Sequence, residues 1–327
     1  MNEETARDSA AIHSLDHFAL KVPSVDDARH FYSAFGLGVR SIVGDGPAGS
    51  ATELELIASD GHRWGRILKG PKKALAYLAF TCFEGDLAML ERQVRDAGGR
   101  ICEHDSRETA QRLLTGFWFV DPDGNVIHVG VGPKTSPIEK RAMGRPEVVA
   151  NRRGSHPRSE SRIVRPRRLS HILLFTPDTL RAIDFYERAL GLRLSDRSGD
   201  IIAFMHGAHG SDHHLVAFAK SIAKGFHHVA WDVDGIDEVG AGSAQMTEAG
   251  YTKGWGTGRH VLGSNYFHYV MDPWGSFSEY SADIDFVSAG HTWPAGDFPP
   301  EDSLYLWGPE VPPYFIHNTE ADNLPQP

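Results

Sequence analysis

Residues 171–177 read HILLFTP, and residues 17–23 read HFALKVP. Both runs are apolar and strand-like, open on a histidine and close on a proline. A helical pattern containing Phe-Tyr follows each run, with Phe31 14 residues after His17 and Phe185 14 residues after His171. The chain therefore contains a diverged tandem repeat of one supersecondary unit.

The boundaries of the predicted elements agree between the two copies as well. Cap-type residues are predicted to begin both helices and glycines to end them: Ser24 and Asp178, then Gly36 and Gly191. A hairpin turn closes each copy, DPDG at residues 121–124 and DPWG at residues 272–275. From opening histidine to turn aspartate the copies span 104 and 101 residues, which predicts two homologous domains of nearly equal length.

The chain is long enough for two cores, with 327 residues of which 41% are hydrophobic. We predict an N-terminal domain over residues 12–132, a basic linker over 133–168, a C-terminal domain over 169–286 and an aromatic, proline-rich tail over 287–327. So aromatic a tail is expected to pack on the second domain or on another subunit. A homo-oligomer is the expected assembly.

Charge and hydropathy limit the partners. The chain has 33 Lys and Arg against 43 Asp and Glu, a formal net charge of -10, which disfavours nucleic acid and anionic membranes. On such an acidic chain, the basic run over residues 133–168 is better explained as a solvated linker than as a nucleic-acid arm. Neither a membrane-spanning apolar stretch nor a signal-peptide pattern is found in the sequence. We expect a cytoplasmic protein with no nucleic-acid or membrane partner.

Histidine is concentrated in the second copy, where ten of the 18 histidines lie between His171 and His291. Three residues stand at defined places on strand-like segments: His171 opens the first, His228 opens the third and Glu279 ends the last. The strand and helix order suggests βαβββ modules whose sheets curl around a cavity, so inward-pointing residues can converge. Two imidazoles and one carboxylate form the facial triad typical of non-haem Fe(II) oxygenases, with positions left for substrate and O2.

The first copy serves as an internal comparison. Matching the copies at their turn aspartates places His128 opposite Glu279 and Tyr77 opposite His228. Together with His17, the first copy therefore has a phenol in place of one imidazole and no carboxylate. Each residue alone is more often an ordinary strand residue than a ligand. Their joint placement in one copy, and the loss in the other, favours a metal site in the second copy.

At these residues the sequence resembles the vicinal oxygen chelate superfamily, and within it the type I extradiol ring-cleavage dioxygenases. The similarity spans residues 12–286. Its most specific motifs are GFHHVAWDV at residues 225–233, GRH at residues 258–260 and DPWGSFSEY at residues 272–280. The resemblance implies an α+β fold of two tandem domains, each of paired βαβββ modules forming a half-open barrel, the glyoxalase/bleomycin resistance/dioxygenase fold. It also implies that only the C-terminal domain holds metal.

The resemblance implies His171, His228 and Glu279 as ligands of Fe(II), with Mn(II) as the alternative cofactor. His227 is the rival second ligand, but one histidine followed by Val-Ala-Trp-Asp-Val favours His228. For the acid-base residue of the family the sequence offers two adjacent histidines. His214 is preferred over its neighbour at position 213, because its distance to the following apolar strand matches the family.

Three further side chains are implied on the substrate side. Tyr269 and His260 are expected to act in catalysis and to bind the substrate, and Asn265 is expected to bind it. The sequence departs from biphenyl-type members just after His260, where Val261 and Leu262 replace residues that are usually polar. The departure concerns the class of substrate more than the reaction.

The expected function is Fe(II)-dependent extradiol ring cleavage of a catechol-type or trihydroxylated aromatic compound, with both atoms of O2 inserted, during aromatic degradation. The expected partners are a small aromatic diol and O2. One alternative is a non-oxidative metal enzyme of the same superfamily, a glyoxalase-like isomerase or a thiol transferase, which would consume no O2 with any catechol. Another is an aromatic-ligand-binding protein of the same fold, which would need no metal.

Overall fold

The computed structural model describes residues 9–43, 51–102, 115–144 and 148–323. A first sheet holds eight strands: β1 (Ser14–Val22), β2 (Gly38–Val43), β3 (Ala51–Ile57), β4 (Arg63–Lys69), β5 (Ala74–Cys82), β6 (Arg100–Cys102), β7 (Gly116–Val120) and β8 (Val126–Val131). The later strands are β9 (Arg168–Thr176), β10 (Leu192–Ser198), β11 (Ile202–Gly207), β12 (Ser211–Asp212), β13 (Val216–Lys220), β14 (Gly225–Asp232), β15 (Gly254–His260), β16 (Tyr266–Met271), β17 (Phe277–Ala282), β18 (Phe286–Val287), β19 (Gly296–Asp297) and β20 (Tyr305–Trp307). Ten of these form a second sheet, while β12 and β18 pair with each other.

Four helices are found in the described residues: α1 (Val25–Ala34), α2 (Leu87–Asp96), α3 (Thr179–Leu190) and α4 (Ile236–Glu248). Each sheet contains two βαβββ modules whose first strands pair antiparallel, β1 with β5 and β9 with β14. In every module the first strand also pairs in parallel with the last: β1 with β4, β5 with β8, β9 with β13 and β14 with β17. This confirms the predicted α+β fold of paired modules. None of the four described helices has the length and apolar character that crossing a membrane requires.

The helix boundaries follow from the capping residues. The Ser24 hydroxyl accepts from the backbone N–H of Asp27 at 3.1 Å, and the Asp178 carboxylate accepts from that of Arg181 at 3.0 Å. Both bonds satisfy N–H groups that have no partner within the helix. At the other end of α3, Gly191 takes the left-handed conformation with φ of 65°, which a glycine adopts without strain. The predicted helix starts and the predicted end of α3 are confirmed.

The two sheets share one apolar core. The ring of Phe18 lies 6.0 Å from that of Phe226 and 6.3 Å from that of Trp231, across the boundary between the copies. Phe35, just after α1, stacks on Tyr280 with ring centroids 3.9 Å apart, and the Tyr280 hydroxyl donates to the Phe35 carbonyl at 2.9 Å. The two copies are therefore packed against each other through a shared apolar interface.

Two arginines at the end of the predicted linker form ion pairs with buried aspartates. Arg167 lies 2.9 Å from a carboxylate oxygen of Asp232, and Arg168 lies 2.7 Å from one of Asp212. Val164, in the same segment, is buried. Residues 148–163 are exposed, in agreement with a solvated linker, whereas the end of the segment is anchored to the protein by these ion pairs. The predicted domain limits stay predictions.

The C-terminal segment packs on the second sheet, the first of the two arrangements expected for it. β19 pairs in parallel with β10, and β20 pairs antiparallel with β15, which makes β19 and β20 the edge strands of that sheet. Phe315, farther along, is buried in a cluster with Trp255, Phe267, Tyr269 and Phe277. The segment therefore forms part of the walls around the second sheet.

Candidate metal centre

Three side chains meet on the neighbouring strands β9, β14 and β17. The ligand atoms of His171, His228 and Glu279 all lie within 4.8 Å of one another. Oε2 of Glu279 is 3.3 Å from Nε2 of His171 and 3.6 Å from Nε2 of His228. All three residues are buried, yet Nε2 of His228 and Oε2 of Glu279 have no hydrogen-bond partner among the described residues. Buried, unpartnered nitrogen and carboxylate atoms at one point fit a divalent metal ion.

Strand register brings the three residues together. His171 is paired with Ala230 across β9 and β14, and Ala230 is paired with Glu279 across β14 and β17. His228 lies two residues before Ala230 and therefore shares its face of the strand. All three lie inside their strands, so the expectation that they open or end strands is wrong. The reason is that polar flanking residues also pair in the ladder, as Arg168 does with Asp232.

The same register recurs in the first sheet. His17 is paired with Ala79, and Ala79 is paired with His128 on β8, while Tyr77 lies two residues before Ala79. The structure thus confirms that Tyr77 and His128 correspond to His228 and Glu279. The two copies hold equivalent positions with different chemistry.

In the first copy, the guanidinium of Arg66 lies beside Tyr77, the residue equivalent to the proposed ligand His228. The Tyr77 hydroxyl accepts from Nη1 of Arg66 at 2.7 Å and lies 3.1 Å from Nε2 of His17. The buried Arg66 is paired with Glu53. Burial, with Arg63 and Arg66 nearby, also lowers the pKa of His17 although Asp16 opposes the shift. A guanidinium at this place repels a divalent cation, so the first copy does not fit a metal.

A chain of hydrogen bonds contacts His171 at Nδ1, the ring nitrogen that does not face Glu279. Its Nδ1 lies 3.2 Å from the Ser170 hydroxyl, which donates to a carboxylate oxygen of Asp212 at 2.7 Å. Arg168 holds Asp212 through two bonds of 2.7 and 3.0 Å. Since Nε2 faces Glu279, Nδ1 carries the proton and donates to Ser170. Contacts of this kind fix the orientation of a metal-binding imidazole.

Asn265 contacts a ligand of the site. Its amide Nδ2 donates to Oε1 of Glu279 at 2.9 Å and to the Ser281 hydroxyl at 2.9 Å. Asn265 also lines the cavity described below, and its Oδ1 has no hydrogen-bond partner in the part of the chain that the structure describes. The structure thus gives Asn265 a contact with Glu279 that its expected role as a substrate-binding residue did not include.

Of the adjacent histidines His213 and His214, His214 is the one that lies next to the triad. Its ring centroid is 3.9 Å from that of His171, and it lines the cavity. His213 points to Asp196, with Nε2 2.8 Å from the carboxylate, and its Nδ1 lies 3.1 Å from Nδ1 of His214. Burial, and then the neighbouring imidazoles, hold the pKa of His214 well below its usual range. This location favours His214 over His213 as the acid-base residue.

His260 and Tyr269 form a pair at the edge of the triad. Nε2 of His260 lies 2.9 Å from the Tyr269 hydroxyl and 4.0 Å from Oε1 of Glu279. Nδ1 of His260 donates to the carbonyl of Leu304 at 2.6 Å, so Nε2 accepts from the tyrosine. Burial, reinforced by Glu279, raises the pKa of Tyr269 well above its usual range, which keeps the phenol protonated.

A cavity of about 330 Å³ opens at the triad. It is lined by His171, His214, His228, His260, Asn265 and Tyr269 together with many apolar side chains. One wall is formed by alternate residues of β9, β11 and β13, among them Leu173, Phe204 and Ala219, and by Leu262. The C-terminal segment supplies further lining residues: Pro300, Ser303, Leu304, Phe315 and Ile316. Sequence reasoning missed these five, although the aromatic composition of the tail signalled that it packs.

Comparisons with known proteins agree with this geometry. The sequence model of the Glyoxalase/Bleomycin resistance protein/Dioxygenase superfamily matches residues 168–280. Metapyrocatechase 2 of Cupriavidus necator is 55% identical over 316 residues, which cover 97% of this chain and 95% of that protein. The chain belongs to the extradiol dioxygenases of this superfamily.

Solved structures extend the likeness of this extradiol dioxygenase to the fold. The 2,2',3-trihydroxybiphenyl 1,2-dioxygenase of Sphingomonas wittichii has a TM-score of 0.69 at 20% identity, over 92% of this chain and 100% of that chain. The Mn(II)-bound glyoxalase of Novosphingobium aromaticivorans has a TM-score of 0.69 at 23% identity, over 95% and 99% of the two chains. At such identities the likeness concerns architecture alone.

Proposed function

We propose that the protein is an Fe(II)-dependent extradiol dioxygenase that opens the ring of a catechol and inserts both atoms of O2. The observation that carries this proposal is the buried triad of His171, His228 and Glu279, whose ligand atoms converge within 4.8 Å. The relative named metapyrocatechase, 55% identical over nearly the whole chain, supports the same activity. The mixed nitrogen and oxygen donors suit Fe(II), with Mn(II) as the alternative.

The residues around the cavity have distinct roles in this proposal. Iron held by the triad would supply the redox chemistry and keep both reactants at one place. His214 exchanges a proton with the substrate through Nε2, the nitrogen not engaged with His213. Tyr269 keeps its proton and donates it to Nε2 of His260, so the phenol oxygen is positioned to accept a hydrogen bond from a substrate hydroxyl. The C-terminal segment forms part of the cavity wall and so limits the access of water.

The lining of the cavity favours a catechol with no substituent or with a small, uncharged one. Leu173, Phe204 and Leu262 form an apolar wall next to the triad. Among the described side chains that line the cavity, Lys220 is the one lysine or arginine, and it pairs with Asp200. A carboxylate on the ring would therefore lose its hydration without gaining a free cation. A trihydroxylated ring carries no such charge and stays within the proposal.

The test is anaerobic loading of the metal-free protein with Fe(II), followed by catechols under air. The panel contains catechol, 4-methylcatechol, a trihydroxybenzene and a catechol carrying a carboxylate. We expect O2 consumption and a yellow ring-opened product with the uncharged catechols, and at least tenfold lower kcat/KM with the carboxylate, about 1.4 kcal/mol. A small aromatic diol and O2 are the proposed partners; a homo-oligomer and a cytoplasmic location stay predictions.

The control variants come from the two copies. His228→Ala is expected to lose activity, whereas His128→Ala, which alters the corresponding region of the first sheet, is expected to retain it. Full activity in His228→Ala would rule out the ligand assignment. Metal binding without O2 uptake, for every catechol in the panel, would favour a non-oxidative enzyme of the same superfamily.

A further inference from the structure

His227 and His228 are consecutive on β14, yet their imidazoles touch. Their Nδ1 atoms lie 2.6 Å apart, and both side chains line the cavity. In a regular strand consecutive side chains point to opposite faces. Here β14 contains a bulge, because Phe226 is paired with Leu174 and His228 with Leu173, which leaves His227 as the extra residue. A bulge re-aims a side chain in this way.

The hydrogen bonds around His227 allow one consistent placement of protons. Nε2 of His227 lies 2.7 Å from the backbone carbonyl of Phe315, which can only accept, so Nε2 donates. Nε2 of His228 faces Glu279 and must keep its lone pair to bind a metal, so the proton of His228 is on Nδ1. His228 therefore donates to Nδ1 of His227. The carbonyl of Phe315 thus sets the tautomer of His227, and His227 sets that of His228.

The first sheet contains the same bulge without the histidine. On β5, Tyr77 is paired with Ala19 and Leu75 with Leu20, which leaves Ala76 as the extra residue. Ala76 corresponds to His227, as Tyr77 corresponds to His228. The bulge is therefore a property of the fold in both copies. The imidazole at the bulge occurs only in the copy that has the triad.

We propose that His227 is a positioning residue of the metal centre, which fixes the tautomer and the ring orientation of His228 through a hydrogen-bond order imposed by the C-terminal segment. His227 binds neither metal nor substrate in this arrangement, because its two nitrogens are taken by His228 and Phe315. The inference rests on the proposed function, since it assumes a metal at the triad. It adds that the position of the Phe315 carbonyl affects the affinity of the triad for a metal, through His227 and His228.

The test compares His227→Leu with His227→Asn in the full-length protein. Affinity for Fe(II) is measured anaerobically by competition with a chelator, and the rise in Tm on metal addition gives a second readout without catalysis. We expect His227→Leu to bind Fe(II) about 10- to 100-fold more weakly than wild type, the usual effect of losing a partner of a metal-binding histidine. In His227→Asn an amide oxygen close to the former Nδ1 can still accept from His228, so most of the affinity is expected to return.

Ala76→Leu is the matched control, because it alters the same bulge in the copy without the triad; its metal affinity is expected to equal that of wild type. Unchanged affinity in His227→Leu, with affinity lost in His228→Ala, would overturn the role of His227 and leave the proposed function standing. An equal loss in His227→Asn and His227→Leu would also overturn it, since packing and not hydrogen bonding would then be responsible. A wild-type protein that binds no metal would instead contradict the proposed function.

Discussion

The side chain of Asn265 leaves one oxygen of Glu279 free for a metal. Its amide donates to Oε1, while Oε2 faces the two histidines and accepts no hydrogen bond from any described residue. A carboxylate held at one oxygen presents the other in a fixed direction, which lowers the cost of organising the site when a metal binds. Asn265 is therefore expected to act on metal binding as well as on the substrate.

Removal of this amide gives a prediction at the residue scale. Asn265→Ala is expected to weaken Fe(II) binding by about tenfold, because Glu279 loses the donor that orients it. Metal affinity is measured by chelator competition, and KM for catechol at saturating Fe(II) separates this effect from loss of a substrate contact. Ser281→Ala, which leaves the bond between Asn265 and Glu279 in place, is the control. A raised KM with unchanged metal affinity would restrict Asn265 to substrate binding.

Among the elements, α3 ends at a glycine that the surrounding packing requires. Gly191 ends the helix at a positive φ, and a Cβ added there would lie 2.6 Å from the carbonyl oxygen of Ala10 and 2.6 Å from the Cβ of Ala11. Ile12 also donates its backbone N–H to the carbonyl of Leu190 at 3.0 Å. The end of α3 is thus a close contact between a helix of the second copy and the segment that precedes β1.

Gly191→Ala is expected to lower the free energy of unfolding by roughly 2 to 4 kcal/mol, the sum of left-handed strain and a clash with the main chain. Gly199→Ala is the matched control, since Gly199 also has a positive φ but no atom of the described residues lies within 4 Å of an added Cβ. It is expected to cost about 1 kcal/mol. Urea unfolding measures both variants. Equal losses would show that the contact with Ala10 and Ala11 contributes nothing.

Some elements and contacts were predictable from the sequence and others were not. The repeat, the helix caps and the triad follow from local spacing and from side-chain chemistry, which the sequence contains directly. The bulge at His227 was not predictable, because it depends on which residues of β9 pair with β14. The contact of Phe315 with His227 joins residues 88 positions apart, and no periodicity announces it. The role of Asn265 was missed in part for the same reason.

At the scale of the whole molecule, a buried histidine makes stability depend on pH. His13 is buried beside Gly132 and Thr81, where its Nε2 lies 3.2 Å from the Gly132 carbonyl. Burial, with His209 and Lys134 nearby, lowers the pKa of His13 from 6.5 to about 4. Between pH 4 and 6.5, His13 is therefore protonated in the unfolded chain but neutral in the folded protein. The contribution of His13 to stability is therefore fully present above pH 6.5 and is lost as the pH falls toward 4.

The corresponding prediction concerns His13→Gln. In wild type this one group is expected to contribute a slope of about 1.4 kcal/mol per pH unit to the free energy of unfolding between pH 4 and 6.5. The variant should lose that part of the slope while other groups keep theirs. Urea unfolding of the metal-free protein at several pH values measures the difference. Parallel curves for the two proteins would show that His13 titrates normally in the folded state.

The ion pair between Arg66 and Glu53 limits how the chain could be redesigned. If an imidazole were introduced at position 77 and a carboxylate at position 128, the guanidinium of Arg66 would still lie next to the new ligands. Replacing Arg66 as well would leave the mostly buried carboxylate of Glu53 without its ion-pair partner. A second metal site in this chain therefore requires coordinated substitutions at positions 53, 66, 77 and 128.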